Sequence, residues 1–98
     1  MKAPPEWTSG LRWTPCEACH QERSVHAHHV IYAQHCKRHH LPLYDPRNRM
    51  LLCYACHAAH HARTRLLVIP ADHPVRDFAA EHGVEWLLER TYQRRAVA

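Results

Sequence analysis

The sequence predicts a small α+β domain, in which two strands and a helix are tied together by a metal ion and followed by a helical tail. A chain of 98 residues forms at most one domain. Two Cys-x-x-Cys clips bracket a segment with strand-forming composition, and an alanine-rich segment with high helix propensity begins at the second clip. A chain this short buries a limited core, for which a structural metal is a common remedy.

The residues before the first clip are predicted to form an extended N-terminal arm, because three prolines and Gly10 disfavour regular structure there. Its aromatic side chains, Trp7 and Trp13, are expected to be able to pack on the domain. No apolar segment follows the first two residues, so no signal peptide is visible and a cytoplasmic location is expected. The single domain, 1–98, therefore divides into an arm, a core and a tail: 1–15, 16–65 and 66–98.

The core begins with a predicted strand over Ser24–Tyr32, which is rich in β-branched and aromatic residues. A polar connection over 33–48 follows, with a short helical turn around Gln34–His39. Pro42 and Pro46 break any longer element in this connection.

A second strand is predicted over Arg49–Leu52, because this short apolar run leads directly into the second clip. Four alanines then favour a helix over Tyr54–Arg65. Leu66–Ile69 is predicted to be extended, since Pro70 ends it.

Two further helices are predicted in the tail. Asp72 is a suitable N-cap for the first of them, and Gly83 is suited to ending it. The second is predicted over Glu85–Arg95. Leu88 and Tyr92 are four residues apart in it and would lie on the same face.

The two clips have identical spacing and carry four of the five cysteines. A two-residue gap lets both sulfurs of a clip reach one ion, and zinc takes four thiolates at tetrahedral corners about 2.3 Å away. A redox dithiol would explain one clip but not two. The predicted ligands of a structural Zn²⁺ are Cys16, Cys19, Cys53 and Cys56.

The fifth cysteine, Cys36, has His35, His39 and His40 as neighbours in the sequence. We interpret this stretch as a solvated loop in preference to a further metal site. An odd number of cysteines argues against a disulfide framework. No run of about 20 apolar residues is present, so no membrane partner is expected.

Histidine is the compositional outlier, with twelve in the chain, and an excess of imidazole indicates metal ligation or proton transfer. His57 and His61 are four residues apart on the predicted helix, so both rings project from one face. A third ligand can come from the strand, where His28 and His29 point in opposite directions. One of these two would bind the ion, and the other would be a candidate general base.

The formal net charge is +4, and the basic excess lies in residues 1–65, which carry nine lysines and arginines against four acidic residues. A positive field on the half that holds the cysteines and histidines suits a phosphate polymer as partner. A solvated basic surface is the alternative. The predicted phosphate contacts, chosen because they lie close in sequence to the site residues, are Arg47, Arg49, Arg63 and Arg65.

Both clips are followed by a histidine, His20 and His57, which is also the attachment pattern of c-type haem. Such attachment is expected on exported chains. It also leaves the remaining histidines without a role, so a two-haem electron carrier is disfavoured.

Taken together, these residues resemble the HNH endonuclease motif. H-H-V-I at 28–31 is followed by Asn48, which lies four positions before L-C-Y-A-C-H-A-A-H-H. The resemblance covers residues 16–63 and implies a ββα-metal (His-Me finger) fold, with the first histidines on a strand, the asparagine in a loop, a second strand and the last histidines on a helix. The loop departs from the family pattern, because it contains no glycine.

The resemblance implies a role for each matching position. His29 is the implied general base. Asn48 would either order the loop beneath this base or join the metal shell. His60 makes the last ligand ambiguous, although the spacing from the first helix histidine favours His61. The implied ligands of a catalytic divalent metal are His28, His57 and His61.

The activity that the resemblance implies is metal-dependent hydrolysis of DNA phosphodiester bonds, leaving 5′-phosphate and 3′-hydroxyl ends. Imidazole-rich ligation favours Mn²⁺, Ni²⁺, Co²⁺ or Zn²⁺ over Mg²⁺ as the catalytic ion. A monomer would nick one strand, whereas a homodimer could cut both. The alternative is a non-catalytic zinc-knuckle module that binds nucleic acid through the same cysteine site and basic surface.

Overall fold

Two short strands pair at the centre of the computed structural model, which describes residues 3–64 and 67–92. Strand β1 spans His26–His29 and strand β2 spans Arg49–Leu52. They run antiparallel, with His28 opposite Met50 and His29 opposite Arg49. The α+β class predicted from the sequence is confirmed.

Strand β1 is shorter than the predicted Ser24–Tyr32, because its flanks bond elsewhere. The backbone of Ser24 exchanges hydrogen bonds with the N-terminal arm, at Arg12 and Thr14. After His29 the chain turns towards Asn48, whose side-chain oxygen accepts the N–H of Ile31. Ser24 and Ile31 therefore bond outside the two-stranded ladder.

The helices of the described residues are α1 (Pro5–Thr8), α2 (Ala33–Arg38), α3 (Tyr54–His61), α4 (Pro74–Glu81) and α5 (Glu85–Tyr92), with a 3₁₀ turn over Pro46–Asn48. Helices α1 and α3 both contact β1, while α4 packs on α5 and on the 3₁₀ turn. Helix α2 occupies the position of the predicted helical turn. None of the described helices has the length and apolar character needed to cross a bilayer.

Helix α3 ends at His61, before the predicted Arg65. Arg63 adopts the left-handed conformation with φ of 62°, and the amides of Arg63 and Thr64 bond back to the last turn. Such bonds satisfy the free carbonyls at a helix end and stop its growth. Arg65 and Leu66 lie outside the described residues.

The N-cap of α4 is His73, so the prediction of Asp72 is wrong. The Nδ1 atom of His73 accepts the N–H of Val75 at 3.0 Å and satisfies one of the unpaired amides of the first turn. Gly83, with φ of 69°, follows the helix as predicted.

The tail supplies much of the core. Leu88 and Tyr92 are both buried on one face of α5, as predicted, while the predicted end at Arg95 lies outside the described residues. The largest fully buried apolar side chains are Phe78, Met50, Leu52, Leu67, Val30 and Val75.

The N-terminal arm contains a helical turn, α1, and is not extended throughout. Trp7 is buried there, against His29 and Tyr44. Trp13 is 83% exposed, so the expectation that it packs on the domain is wrong. It precedes the first clip, where the chain is held by the backbone of Ser24 and not by an apolar contact of the indole.

Candidate metal centres

The four clip cysteines converge on one point. Their sulfurs all lie within 4.8 Å of one another, and the sulfurs of Cys19 and Cys53 are 3.9 Å apart. Four thiolates about 2.3 Å from a tetrahedral zinc would have sulfurs about 3.8 Å apart. The set Cys16, Cys19, Cys53 and Cys56 can therefore hold a structural zinc.

Backbone amides point at the sulfurs of both clips. Cys16 accepts the N–H groups of Ala18 and Cys19 at 3.4 and 3.5 Å, and Cys53 accepts the N–H of Cys56 at 3.4 Å. Cys53 is also the N-cap of α3. The second clip is thus rigidly attached to the start of the helix, and amide donors stabilise thiolates in both clips.

The pKa values of the thiols depend on burial, on the amide donors and on the neighbouring cysteines. Burial opposes ionisation of Cys16, but the amides and the neighbouring thiol of Cys19 outweigh it and lower its pKa to about 6. Burial and the neighbouring cysteines raise the pKa of Cys56 to about 12. The protein alone therefore favours some thiolates at the expense of others, and a divalent cation is what would let all four ionise together.

A second cluster lies between β1 and α3. His28, His57 and His61 each offer a ring nitrogen, and these three atoms lie within 4.8 Å of one another. The predicted alignment of the two helix histidines is present, since their Nε2 atoms are 3.1 Å apart. Imidazole nitrogens about 2.0–2.1 Å from a tetrahedral ion would be about 3.4 Å apart, so this helix pair is close to ligand geometry.

The surroundings of the second cluster favour neutral imidazoles. Burial, followed by the neighbouring histidines, lowers the pKa of His28 to about 2. Burial and the positive charge that His61 would carry lower the pKa of His57 to about 4. Neutral rings keep a lone pair available for a cation.

His29 lies on the other side of β1 from this cluster. Its ring packs 4.3 Å from that of Trp7 and 5.7 Å from that of Tyr44. Its Nε2 is 2.9 Å from the carbonyl oxygen of Leu43, which can only accept, so Nε2 carries the proton and Nδ1 has the lone pair. Burial lowers the pKa of His29, against the effect of the Leu43 carbonyl.

Asn48 is fully buried, and its side chain hydrogen-bonds the backbone of the turn after β1. Its Oδ1 accepts the N–H of Ile31 at 2.6 Å, and its Nδ2 donates to the Ile31 carbonyl at 3.0 Å. Its side chain thus orders the connection that follows the histidine pair. Of the two roles that the resemblance implies for Asn48, these contacts favour the ordering of the loop.

Cys36 is buried in α2, so its interpretation as part of a solvated loop is wrong. Its sulfur contacts the carbonyl of Ile31 and the Nδ2 of Asn48, both at 3.5 Å. Burial raises the pKa of its thiol. The amide of Asn48 and the turn at Ile31 therefore draw α2 into the core.

Three side chains lie around the histidine cluster, and of these the sequence indicated only His60, as an alternative last ligand. His26 shares a strand face with His28, and its ring lies 4.7 Å from that of His57, a proximity that the two-residue period could have indicated. His60 is buried and bonds the hydroxyl of Tyr32 at 2.7 Å. Tyr92 reaches the cluster from α5, and no local pattern points to it.

The predicted phosphate-binding arginines differ in their surroundings. Arg47 pairs with Asp45 and Glu81 at 2.9 and 3.0 Å. Arg49 donates to three carbonyls of the N-terminal arm. Arg63 is exposed at the end of α3. Their contact with phosphate stays a prediction, and Arg65 lies outside the described residues.

In comparisons with protein-family models, with curated proteins and with solved structures, nothing matches this chain. The α+β class and the two clusters of potential metal ligands therefore rest on the structure of this chain and not on a relative. A four-cysteine cluster is compatible with a zinc site but is not specific to the HNH family.

Proposed function

We propose that this protein is a metal-dependent endonuclease of the HNH type, with a ββα-metal core, which hydrolyses DNA phosphodiester bonds. The observation that supports it most is the convergence of three imidazoles, one of them on a strand that carries a further histidine. His28, His57 and His61 bring their ligand atoms within 4.8 Å, while the adjacent His29 keeps an open nitrogen.

The three histidines would hold a divalent cation, for which imidazole-rich ligation favours Mn²⁺, Ni²⁺, Co²⁺ or Zn²⁺ over Mg²⁺. When bound, such a cation supplies stabilisation of the negative charge that develops on the phosphate and on the departing 3′ oxygen. The histidines contribute uncharged donors and leave positions open for substrate.

His29 would act as the general base. Its Nε2–H is donated to the Leu43 carbonyl, which fixes the ring and leaves Nδ1 to accept a proton from water. The oxygen of that water forms a bond to phosphorus as the bond from phosphorus to the 3′ oxygen breaks. The departing oxygen takes a proton from solvent, which gives 5′-phosphate and 3′-hydroxyl ends.

The cysteine cluster would have a structural part. A zinc at Cys16, Cys19, Cys53 and Cys56 would tie the segment before β1 to the start of α3. The histidines of the second cluster come from these same two elements. The zinc would therefore set the distance across which His28 meets the helix histidines.

A non-catalytic nucleic-acid-binding module is the second candidate, and the surface beside the first clip favours it. Trp13 is 83% exposed and lines a groove of about 240 Å³ with His20 and Arg23. Exposed aromatic and basic side chains suit stacking on bases and contact with phosphates. The two-haem carrier is disfavoured, because four sulfurs within 4.8 Å leave no room for two separate haem attachments.

Relaxation of supercoiled plasmid separates the two candidates. Purified protein would be incubated with plasmid and a panel of divalent metals, with and without EDTA. A nuclease should produce nicked or linear DNA with at least one metal, and EDTA should abolish it. A binding module should shift the plasmid on a gel and leave it supercoiled with every metal. His40→Asn serves as the control variant, because His40 is exposed and has no proposed role in either cluster, and asparagine tolerates its left-handed backbone. This variant should act on plasmid as the wild type does.

A further inference from the structure

Helix α5 reaches the histidine cluster through the side chain of Tyr92. The oxygen of Tyr92 lies 3.0 Å from Nε2 of His28 and 2.5 Å from the carbonyl oxygen of Val30. Tyr92 is 4% exposed, and its ring stacks on that of His60 at 5.4 Å and 9°. The hydroxyl is therefore held in place by its bond to the Val30 carbonyl and by the burial and stacking of its ring.

The direction of these two hydrogen bonds is fixed by chemistry. The carbonyl of Val30 can only accept, so Tyr92 donates its one hydroxyl proton there. The bond to His28 then requires Nε2 of the ring to be the donor. A neutral imidazole carries one ring proton, so Nδ1 of His28 is left with the lone pair.

We propose that Tyr92 is a positioning residue for His28, which holds its ring as the Nε2–H form and presents Nδ1 to the divalent cation of the second cluster. Histidine ligands commonly donate their other ring N–H to a partner that sets ring orientation. The cation rests on the proposed function, whereas the proton position on His28 does not. The helical tail, which the HNH resemblance does not cover, would then belong to the metal site.

Tyr32 provides a matched control. Its hydroxyl also bonds a histidine, Nε2 of His60 at 2.7 Å, which lies beside this cluster. His60 is not among the three residues whose ligand atoms converge. Loss of this hydroxyl removes a similar hydrogen bond from the same region without touching a proposed ligand.

The test uses full-length protein that holds zinc at the cysteine cluster alone, and no DNA. Long-range ¹H–¹⁵N spectra of the histidine rings should place the proton of His28 on Nε2 in the wild type, and Tyr92→Phe should lose this preference. Calorimetric titration with Ni²⁺ should show affinity about 10–100-fold weaker in Tyr92→Phe and unchanged in Tyr32→Phe.

A His28 proton on Nδ1 in the wild type would overturn the proposal, whether or not the variant folds. Wild-type affinity for Ni²⁺ in a folded Tyr92→Phe protein would overturn it too. Failure of the nuclease proposal is a separate result, because it is read from plasmid cleavage and leaves the proton position unaffected.

Discussion

Nε2 of His57 lies 3.1 Å from Nε2 of His61, one turn further along α3. This distance leaves room for at most one proton between the two nitrogens, and His28 adds a third ring nitrogen to the same space. A cation would satisfy all three lone pairs at once. The pair is thus the feature of the helix that most favours a second metal site.

Replacement of His61 should separate metal binding from stability. His61 is exposed, so His61→Ala should change the free energy of unfolding by less than about 0.5 kcal/mol. It should weaken Ni²⁺ binding at least about tenfold, because one of the three proposed ligands is lost. Calorimetry and thermal melts measure the two effects. His60→Gln should weaken Ni²⁺ binding less than His61→Ala, and the reverse order would assign the ligand to His60.

Loss of a clip cysteine should remove the zinc and destabilise the fold. Cys53→Ser takes away a proposed zinc ligand and the sulfur that caps α3. We expect the thiolate absorption of Co²⁺-substituted protein to weaken and the melting temperature to fall. Cys36→Ala is the matched control, since Cys36 lies outside the cluster. Its Co²⁺ spectrum should be that of the wild type, and a change there would place Cys36 among the ligands.

Arg47 and Arg63 should behave in opposite ways. Arg47 pairs with Asp45 and Glu81 and lies over the ring of Phe78, so Arg47→Ala should lower the free energy of unfolding. Arg63→Ala should leave stability unchanged and weaken DNA binding, most clearly at low salt. Urea titrations and gel shifts measure both. If Arg47→Ala instead bound DNA more weakly and kept its stability, Arg47 would be a phosphate contact and not a structural residue.

The contribution of the Arg47 pairs should also depend on pH in a defined direction. Hydrogen bonds from Arg47 hold the pKa of Asp45 below its usual range. A lowered folded pKa means that this stabilisation is present above the unfolded value of about 3.9 and is lost as the pH falls through the folded value. The difference in unfolding free energy between wild type and Arg47→Ala should therefore persist at neutral pH. A difference that is present only in acid would contradict this assignment.

Local patterns in the sequence predicted the features that depend on near neighbours. The two-residue gap in each clip and the four-residue spacing along α3 determine which side chains within one segment point to the same side. Both ligand clusters contain the residues chosen on that basis. The strand over Arg49–Leu52 likewise follows from its own composition.

Features that depend on distant partners were not predictable in this way. Cys36 is buried because Asn48, twelve residues later, holds the turn beside it. Tyr92 lies 64 residues from His28 in the chain, and only the packing of α5 brings them together. Trp13 is exposed, and its segment is held by backbone hydrogen bonds to Ser24, which no aromatic pattern reveals.

The most direct test of the account compares the cleavage rate and DNA affinity of His29→Ala with those of the wild type, in the metal that supports activity. His29→Gln is a second variant, because its amide can still donate to the Leu43 carbonyl but cannot take up a proton at neutral pH. Both should cut plasmid about 10²–10⁴-fold more slowly and bind it with wild-type affinity. Cleavage at the wild-type rate by either folded variant, or no cleavage by the wild type with any divalent metal, would contradict the account.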